Sequence, residues 1–336
     1  MNVKKVWGSV IVTLFLLITG CGSADEVTEE ISEEVLQDDR VLASEPLDVE
    51  PLIIYTTIYA LEDFTEKIGR EFVQVENIIP AGADAHTYEP TIRSMIEIGD
   101  GDAFIYNGGG MEGFVETLID TMGEEDLLLV EASEGIEFIG GGLEHDHDHS
   151  HSHDHSEEDG HSHDYDPHVF IDPVRSITLA QNIKGALIEL MPEEEELFQA
   201  NFEMLKTDLE ALDQAFRDMV EKAEKGKFLV AHAGYTYWAE RYGLEQISIT
   251  GFSPTNEPSY RQLEELMAFA NEHEIEYVIF EKNYTIPIAE MFLNEVNAEP
   301  LHFYNLEALT PEQRLEGKDY IKMMNENIKT LEKALN

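Results

Sequence analysis

The chain has 336 residues and a formal net charge of −49 at pH 7, from 70 acidic and 21 basic residues. Such an imbalance argues against binding of a nucleic-acid phosphate backbone, because that binding needs clustered Lys and Arg. The acidic residues are spread over the whole chain, which favours surface adaptation over a dedicated cation-capturing patch.

The N-terminus has the features of a lipoprotein signal. Lys4 and Lys5 precede an apolar run over residues 10–18 that is too short to span a bilayer. The following Leu17-Ile18-Thr19-Gly20-Cys21 resembles a lipobox, so residues 1–20 are predicted to be a signal peptide and Cys21 to be acylated. An ordinary secretory peptide with a chance cysteine is the alternative. With Cys21 acylated no thiol remains, and any metal ligands must be His, Asp or Glu.

Residues 21–50 are polar and acidic, which predicts a solvated tether between membrane and folded body. No later segment of the sequence is apolar enough to span a membrane. We therefore expect the body to lie outside the cytoplasm, lipid-anchored to the cell membrane of a Gram-positive-type bacterium.

The first half of the body alternates strand and helix patterns, which predicts a mainly parallel sheet with helices on both faces. This N-terminal lobe is expected over residues 51–192. Strands are predicted at residues 51–57, 72–79, 103–106 and 127–130, and helices at residues 58–69, 91–98 and 111–122.

Eight of the 13 histidines lie in a low-complexity run within residues 144–164, where they alternate with Asp, Ser and Gly. This composition has no apolar period and predicts an unstructured loop that collects or senses metal weakly, or else a simple spacer. The predicted accessory low-affinity ligands are His145, His147, His149, His151, His153, His155, His161 and His163. His168, just beyond, differs because two Asp-Pro steps restrict the chain on either side of it.

A long amphipathic helix is predicted over residues 193–224, after a helix at residues 173–190. At 1.5 Å rise per residue it would span roughly 45 Å, enough to join two lobes. Strand and helix patterns then alternate again over residues 225–336, which we assign to a C-terminal lobe. Strands are predicted at residues 228–231, 246–249, 277–280 and 301–303, and helices at residues 235–242, 259–273, 286–297 and 320–335.

The sequence thus predicts an α/β fold of two similar lobes with separate cores, joined by one long rigid helix. A shared local pattern fits this duplication. Glu89-Pro90-Thr91 in the first half and Glu257-Pro258-Ser259 in the second each follow a Gly-containing loop and begin a helix with a hydroxyl cap.

Candidate metal ligands lie in loops that leave predicted strands or a constrained turn. In open α/β sheets, the crevice beyond the carboxyl ends of the strands binds ligands. His86, His168 and His232 would bring three imidazoles there, which suits Zn²⁺ once a carboxylate completes the set. Glu307 is the preferred fourth ligand and Glu281 the reserve. We expect His273 and His302 to be structural.

Several motifs occur together and in order, among them GADAHTYEPT, DPHVFIDP, AHAGYTYWAERYGL, GFSPTNEPS and NLEALT. In this set the chain resembles the zinc/manganese substrate-binding lipoproteins of ABC importers. That resemblance implies two α/β lobes with the metal in the cleft between them and matches His86, His168, His232 and Glu307 to its ligands. It implies a monomer that delivers metal to an ABC permease and its ATPase and is not an enzyme.

Zinc is the expected metal, because Mn²⁺ favours carboxylate and water oxygen over a set rich in nitrogen. A manganese receptor and a surface adhesin with a structural metal are the alternatives. A zinc hydrolase is disfavoured, since the sequence has neither H-E-x-x-H nor a nucleophile elbow. Because histidine ligands must be neutral, metal affinity is expected to fall as the pH drops through about 6.5.

Overall fold

The computed structural model describes residues 50–122, 127–140, 165–283 and 285–336. The predicted signal peptide, tether and histidine-rich loop lie outside these residues. Eight strands in the described part form two four-stranded sheets, in which all paired strands run parallel. They are β1 (Leu52–Thr56), β2 (Val73–Asn77), β3 (Ala103–Tyr106), β4 (Leu128–Glu131), β5 (Lys227–Val230), β6 (Glu245–Ser248), β7 (Tyr277–Glu281) and β8 (Glu299–Phe303).

The two sheets have the same topology. The first has the strand order β2-β1-β3-β4 and the second β6-β5-β7-β8. Alternating strands and helices therefore give the predicted α/β fold with two similar halves, and the fold-class prediction is confirmed. The exact lobe boundaries stay a prediction.

Ten α-helices lie among the described residues, and none of them is both long and apolar enough to cross a membrane. Nine were predicted within a few residues, and the five-residue α9 was missed. They are α1 (Tyr59–Gly69), α2 (Ile92–Gly99), α3 (Val115–Met122), α4 (Pro173–Leu190), α5 (Glu195–Val220), α6 (Thr236–Tyr242), α7 (Tyr260–Glu272), α8 (Pro287–Val296), α9 (Pro311–Leu315) and α10 (Tyr320–Ala334).

Helix α5 joins the two halves. It has 26 residues and is about 39 Å long at the usual rise per residue. It begins later than predicted because Pro192–Glu194 forms a separate 3₁₀ turn, and it ends at Val220, before the predicted end at residue 224. Helix α5 packs against α1 and α4 of the first half and α10 of the second. Asn201 donates a hydrogen bond of 2.9 Å to the carbonyl of Ile68, which ties α5 to the end of α1.

The inner faces of both halves share one hydrophobic core. A single buried cluster includes Phe64 of α1, Phe170 beside His168, Phe216 of α5, and Trp238 and Phe303 of the second half. In the described part of the chain, two smaller clusters lie on the outer faces of the sheets. The prediction of two separate cores is therefore wrong for the inner faces, because the helices between the sheets bury their apolar sides against both.

Candidate metal site

His168 lies in a rigid turn between the two sheets. Asp166 fixes it twice, since its Oδ1 accepts the backbone N–H of His168 at 2.9 Å and lies 2.7 Å from the ring Nδ1. Asp172 follows and caps α4 by accepting the backbone N–H of Val174. His168 is 1% exposed. The two Asp-Pro steps thus hold the ring with its Nε2 directed away from Asp166.

His86 and His232 come from loops that follow strands of the two sheets. His86 lies beyond β2, where its backbone N–H donates to Asp84 at 2.9 Å. His232 lies just beyond β5 and is 1% exposed. Its Nδ1 is 2.7 Å from Oε1 of Glu281, at the end of neighbouring β7, and the Tyr235 hydroxyl donates to the same oxygen at 3.2 Å.

Glu307 lies in the loop after β8, but the first half helps to hold that loop. The first backbone N–H groups of α1, those of Tyr59 and Ala60, donate to the carbonyls of Glu307 and Leu306 at 2.7 and 3.1 Å. Leu306 has a φ of +65°, a left-handed conformation that costs a branched residue of order 1 kcal/mol or more. The loop is therefore held in a specific shape that directs the Glu307 carboxylate inward.

Four side chains converge at this point. One ligand atom from each of His86, His168, His232 and Glu307 lies within 4.8 Å of all the others. The Nε2 of His168 is 3.2 Å from that of His86, 3.4 Å from that of His232, and 3.6 Å from Oε1 of Glu307. A tetrahedral zinc ion with bonds of about 2.0 to 2.1 Å requires ligand atoms about 3.3 to 3.4 Å apart. The three distances from Nε2 of His168 are close to this value, and all four ligand atoms lie within 4.8 Å of one another.

The carboxylate of Glu307 fits the same conclusion. The residue is 0% exposed, and among the described residues neither of its carboxylate oxygens accepts a hydrogen bond. A buried carboxylate is costly unless a cation or donor pairs with it, and Nε2 of His168 lies 3.6 Å from Oε1 of Glu307. A divalent ion held by the three imidazoles would supply that positive charge.

The electrostatics favour a proton on His168 when the site holds no metal. Burial favours the neutral ring, but the carboxylates of Asp166 and Glu307 outweigh that effect and raise the pKa of His168 to about 10. The same carboxylates favour a cation of any kind at this position. A metal ion must therefore displace a proton as it binds.

The other predicted residues lie elsewhere. Glu281, the reserve ligand, contacts Nδ1 of His232 and so lies behind that ring, whereas Glu307 faces the cluster of Nε2 atoms. His302 is exposed in β8. His273 ends α7, with its ring 4.1 Å from that of Phe269. Neither belongs to the four-residue cluster.

Sequence reasoning did not identify the residues that position the candidate ligands, and it named Glu281 only as a reserve ligand. These are Asp166 and Glu281, which contact the Nδ1 atoms of His168 and His232. Gly234 is another, since a Cβ at that position would lie 2.6 Å from Nε2 of His232. The Asp-Pro-His motif contained a signal for Asp166, because an Asp two residues before a ligand His can reach its ring. The sequence around Gly234 contained no comparable signal that this glycine lies against the ring of His232.

The family model described as zinc-uptake complex component A, periplasmic (ZnuA), matches residues 54–334 of this chain. The chain belongs to the ZnuA family. The match includes strands of both sheets and all four converging residues.

Two relatives illustrate the similarity. The high-affinity zinc uptake system protein ZnuA of Bacillus subtilis (strain 168) is 32% identical over 333 residues, which cover 98% of each chain. The zinc-binding lipoprotein AdcA of Streptococcus pneumoniae serotype 4 is 34% identical over 283 residues, or 84% of this chain. This chain spans only 56% of the length of AdcA.

Solved structures of ZnuA-like proteins have the same fold. The Zn(II)-bound ZnuA-like domain of Streptococcus pneumoniae AdcA superposes with a TM-score of 0.70 at 30% identity, covering 85% of this chain and 99% of that one. The metal-dependent lipoprotein YcdH of Bacillus subtilis gives a TM-score of 0.69 at 31% identity, covering 84% and 99%.

Proposed function

We propose that this protein is an extracytoplasmic receptor that binds Zn²⁺ and delivers it to an ABC permease and its ATPase for import. The observation that carries the proposal is the buried convergence of His86, His168, His232 and Glu307 between the two sheets. The names of the ZnuA-family relatives support the same metal and the same process.

Zinc is preferred over manganese because of the donor set. Three imidazole nitrogens and one carboxylate at tetrahedral spacing suit Zn²⁺, whereas Mn²⁺ favours six oxygen-rich ligands. A manganese receptor and a surface adhesin with a structural metal stay alternatives, and the metal titration below tests the first of them. Acylation of Cys21, a monomeric state and an accessory role for the histidine-rich loop are part of the proposal.

Metal titration of a loop-deleted chain tests the proposed site. Protein that has been dialysed against chelator is expected to bind one zinc ion tightly by calorimetry, and removal of residues 144–164 is expected to leave this binding in place. Competition with Mn²⁺ should displace little of the zinc. Loss of all tight binding after the deletion would place the site in the loop, and preference for manganese would overturn the choice of metal.

Zinc binding is also expected to release protons well above pH 6.5. Because the pKa of His168 is raised to about 10, the proton is bound in the metal-free protein at pH 7 to 9 and must leave. Affinity should therefore fall about tenfold for each unit of decreasing pH in that range. An ordinary histidine gives the expectation of a fall as the pH drops through about 6.5, and the raised pKa of His168 extends the expected fall to higher pH.

Calorimetry at pH 8 in buffers of different ionisation enthalpy counts the released protons. We expect about one proton per zinc from His168. Asp166→Asn should reduce this number, because it removes the main charge that raises the pKa of His168. Glu89→Gln, an exposed change in the His86 loop, serves as the control and should leave the number unchanged. Zinc binding without proton release at pH 8 would contradict the prediction.

A further inference from the structure

Helices α1 and α6 occupy equivalent positions in the two halves. Helix α1 follows β1 and α6 follows β5, and each of these strands is second in the order of its sheet. Two of the candidate ligands also occupy equivalent segments. His168 lies between β4 and α4, Glu307 lies between β8 and α10, and β4 and β8 are the corresponding outer strands. The duplicated topology therefore relates these two helices and these two ligand segments to one another.

Helix α6 of the second half holds the turn of the first half that carries His168. Three side chains of α6 donate hydrogen bonds to this turn, at 2.5, 2.7 and 2.6 Å: Tyr237 to the carbonyl of Asp166, Trp238 to the carbonyl of Ile171, and Arg241 to the carboxylate of Asp172. The acceptors lie on both sides of His168 in the chain. The position of this ring therefore depends on a helix that belongs to the other half.

Helix α1 of the first half holds the segment of the second half that carries Glu307. Besides the two backbone hydrogen bonds to the Glu307 loop, the Tyr59 hydroxyl donates to the carbonyl of Lys318 at 3.1 Å. The guanidinium of Arg314 donates to both carboxylate oxygens of Glu62, at 2.6 and 2.9 Å. These contacts continue well beyond Glu307 along the chain, so α1 holds the whole segment and not only the ligand itself.

Each set of contacts includes one arginine–carboxylate pair that joins the two halves. The carboxylates of these pairs are buried, since Glu62 is 6% exposed and Asp172 is 0% exposed. A buried ion pair adds little net stability, because desolvation offsets the attraction between its charges, but the planar guanidinium favours one relative geometry. None of the paired residues belongs to the four-residue cluster. The pairs are therefore suited to fix the positions of ligand segments without contact to the ion.

We propose that α1 and α6 form a reciprocal brace, in which each half of the protein positions a zinc ligand that the chain of the other half carries. The pair of Glu62 and Arg314 positions Glu307 in this way, and the pair that Arg241 makes with the turn positions His168. The affinity for zinc then depends on contacts between the halves that lie away from the ion. This inference rests on the proposed function, because it takes the four-residue cluster as the zinc site.

Chelator competition with the purified full-length protein tests the first pair. Arg314→Gln and Glu62→Gln should each weaken zinc binding on the order of tenfold, the lower end of the effect of groups that orient metal ligands. The double variant should lose no more than either single variant, because the two residues act as one pair. A simple field effect predicts opposite signs, since loss of a positive charge favours a bound cation and loss of a negative charge disfavours it.

Arg241→Gln tests the second pair and should also weaken zinc binding on the order of tenfold. Asp172 keeps Arg175 as a partner at 2.6 Å, so this change leaves no unpaired buried charge. The control is Arg261→Gln, which removes the same charge from an exposed pair with Glu265 within α7 and should leave zinc affinity unchanged.

The visible spectrum of the cobalt-substituted protein separates positioning from stability. Arg314→Gln and Arg241→Gln should each change this spectrum, because a displaced ligand alters the geometry around the metal. Pairs that served only the stability of the fold would lower the free energy of unfolding, measured by denaturant titration, but would leave both the zinc affinity and the cobalt spectrum of the folded protein unchanged. That result would overturn the brace.

The remaining outcomes distinguish the two proposals. If the wild-type protein has no tight zinc site, the proposed function falls and the brace falls with it. If the wild type binds zinc tightly and Arg314→Gln and Arg241→Gln bind it equally well, only the brace falls. Tighter binding by Arg314→Gln together with weaker binding by Glu62→Gln would identify a field effect and overturn positioning. A loss confined to one of the two pairs would overturn the reciprocal arrangement.

Discussion

Glu307→Gln is expected to weaken zinc binding by about 150-fold. Structural zinc sites with four ligands bind with about 10 to 16 kcal/mol, so one ligand accounts for roughly 3 kcal/mol. Glutamine keeps the volume of Glu307 but removes the negative charge that faces the three imidazoles. Chelator competition with the purified protein measures the loss, and circular dichroism checks that the fold is retained.

Glu281→Gln provides the matched comparison within the same site. Glu281 contacts the Nδ1 of His232 at 2.7 Å, and loss of such an orienting carboxylate costs about 10- to 100-fold in metal affinity. Glu89→Gln, at an exposed position, should cost nothing. The visible spectrum of the cobalt-substituted protein should change strongly with Glu307→Gln and only slightly with Glu281→Gln. A larger loss for Glu281→Gln would make Glu281 the fourth ligand.

Trp238→Ala is expected to lower the free energy of unfolding by about 3 to 5 kcal/mol or more. Trp238 is 0% exposed and its ring centroid lies 4.9 Å from that of Phe216 and 5.3 Å from that of Phe303. Its Nε1 donates at 2.7 Å to the carbonyl of Ile171, close to His168. The side chain therefore joins α5, the second sheet and the His168 turn. Denaturant titration measures the change.

The shared core further predicts that both halves unfold together. Among residues 21–336 Trp238 is the one tryptophan, so its fluorescence reports the inner core while circular dichroism reports all helices. The two wild-type transitions should coincide. Phe114→Ala, in the separate outer cluster of the first half, is the control and should lower stability without moving the two signals apart. Separate midpoints in the wild type would contradict a common core.

The hydrophobic periods in the sequence were sufficient for most of the fold. In strands such as β3 and helices such as α5, the spacing of apolar residues depends only on which side of the element is buried. The predicted positions of these elements were therefore correct to within a few residues. The five-residue α9 was missed, because so short a helix has no period and depends on its Thr310 cap. The shared inner core was missed as well, since a period shows that a side is buried but not what covers it.

The ligand residues illustrate a similar limit. His86 and His232 were predicted to approach one another because each lies in a loop that follows a strand. The structure brings them together with His168 and Glu307. The choice between Glu281 and Glu307 was open in the sequence because both acids follow a strand. The choice depends on which side of an imidazole each carboxylate faces. The hydrogen bonds from α1 to the Glu307 loop decide the direction of the Glu307 carboxylate. These hydrogen bonds join distant parts of the chain, so no local sequence pattern reveals them.

Those hydrogen bonds give the site a mechanical property. The carboxylate of Glu307 belongs to the second half in the chain, yet the N-terminus of α1 in the first half holds its backbone through Tyr59 and Ala60. If the halves separate, the hydrogen bonds from α1 to the Glu307 loop and the convergence of candidate ligands from both halves are lost together. If the proposed site holds zinc, we expect release of the ion to require this separation, so that the rate of opening of the two halves would limit the rate of release.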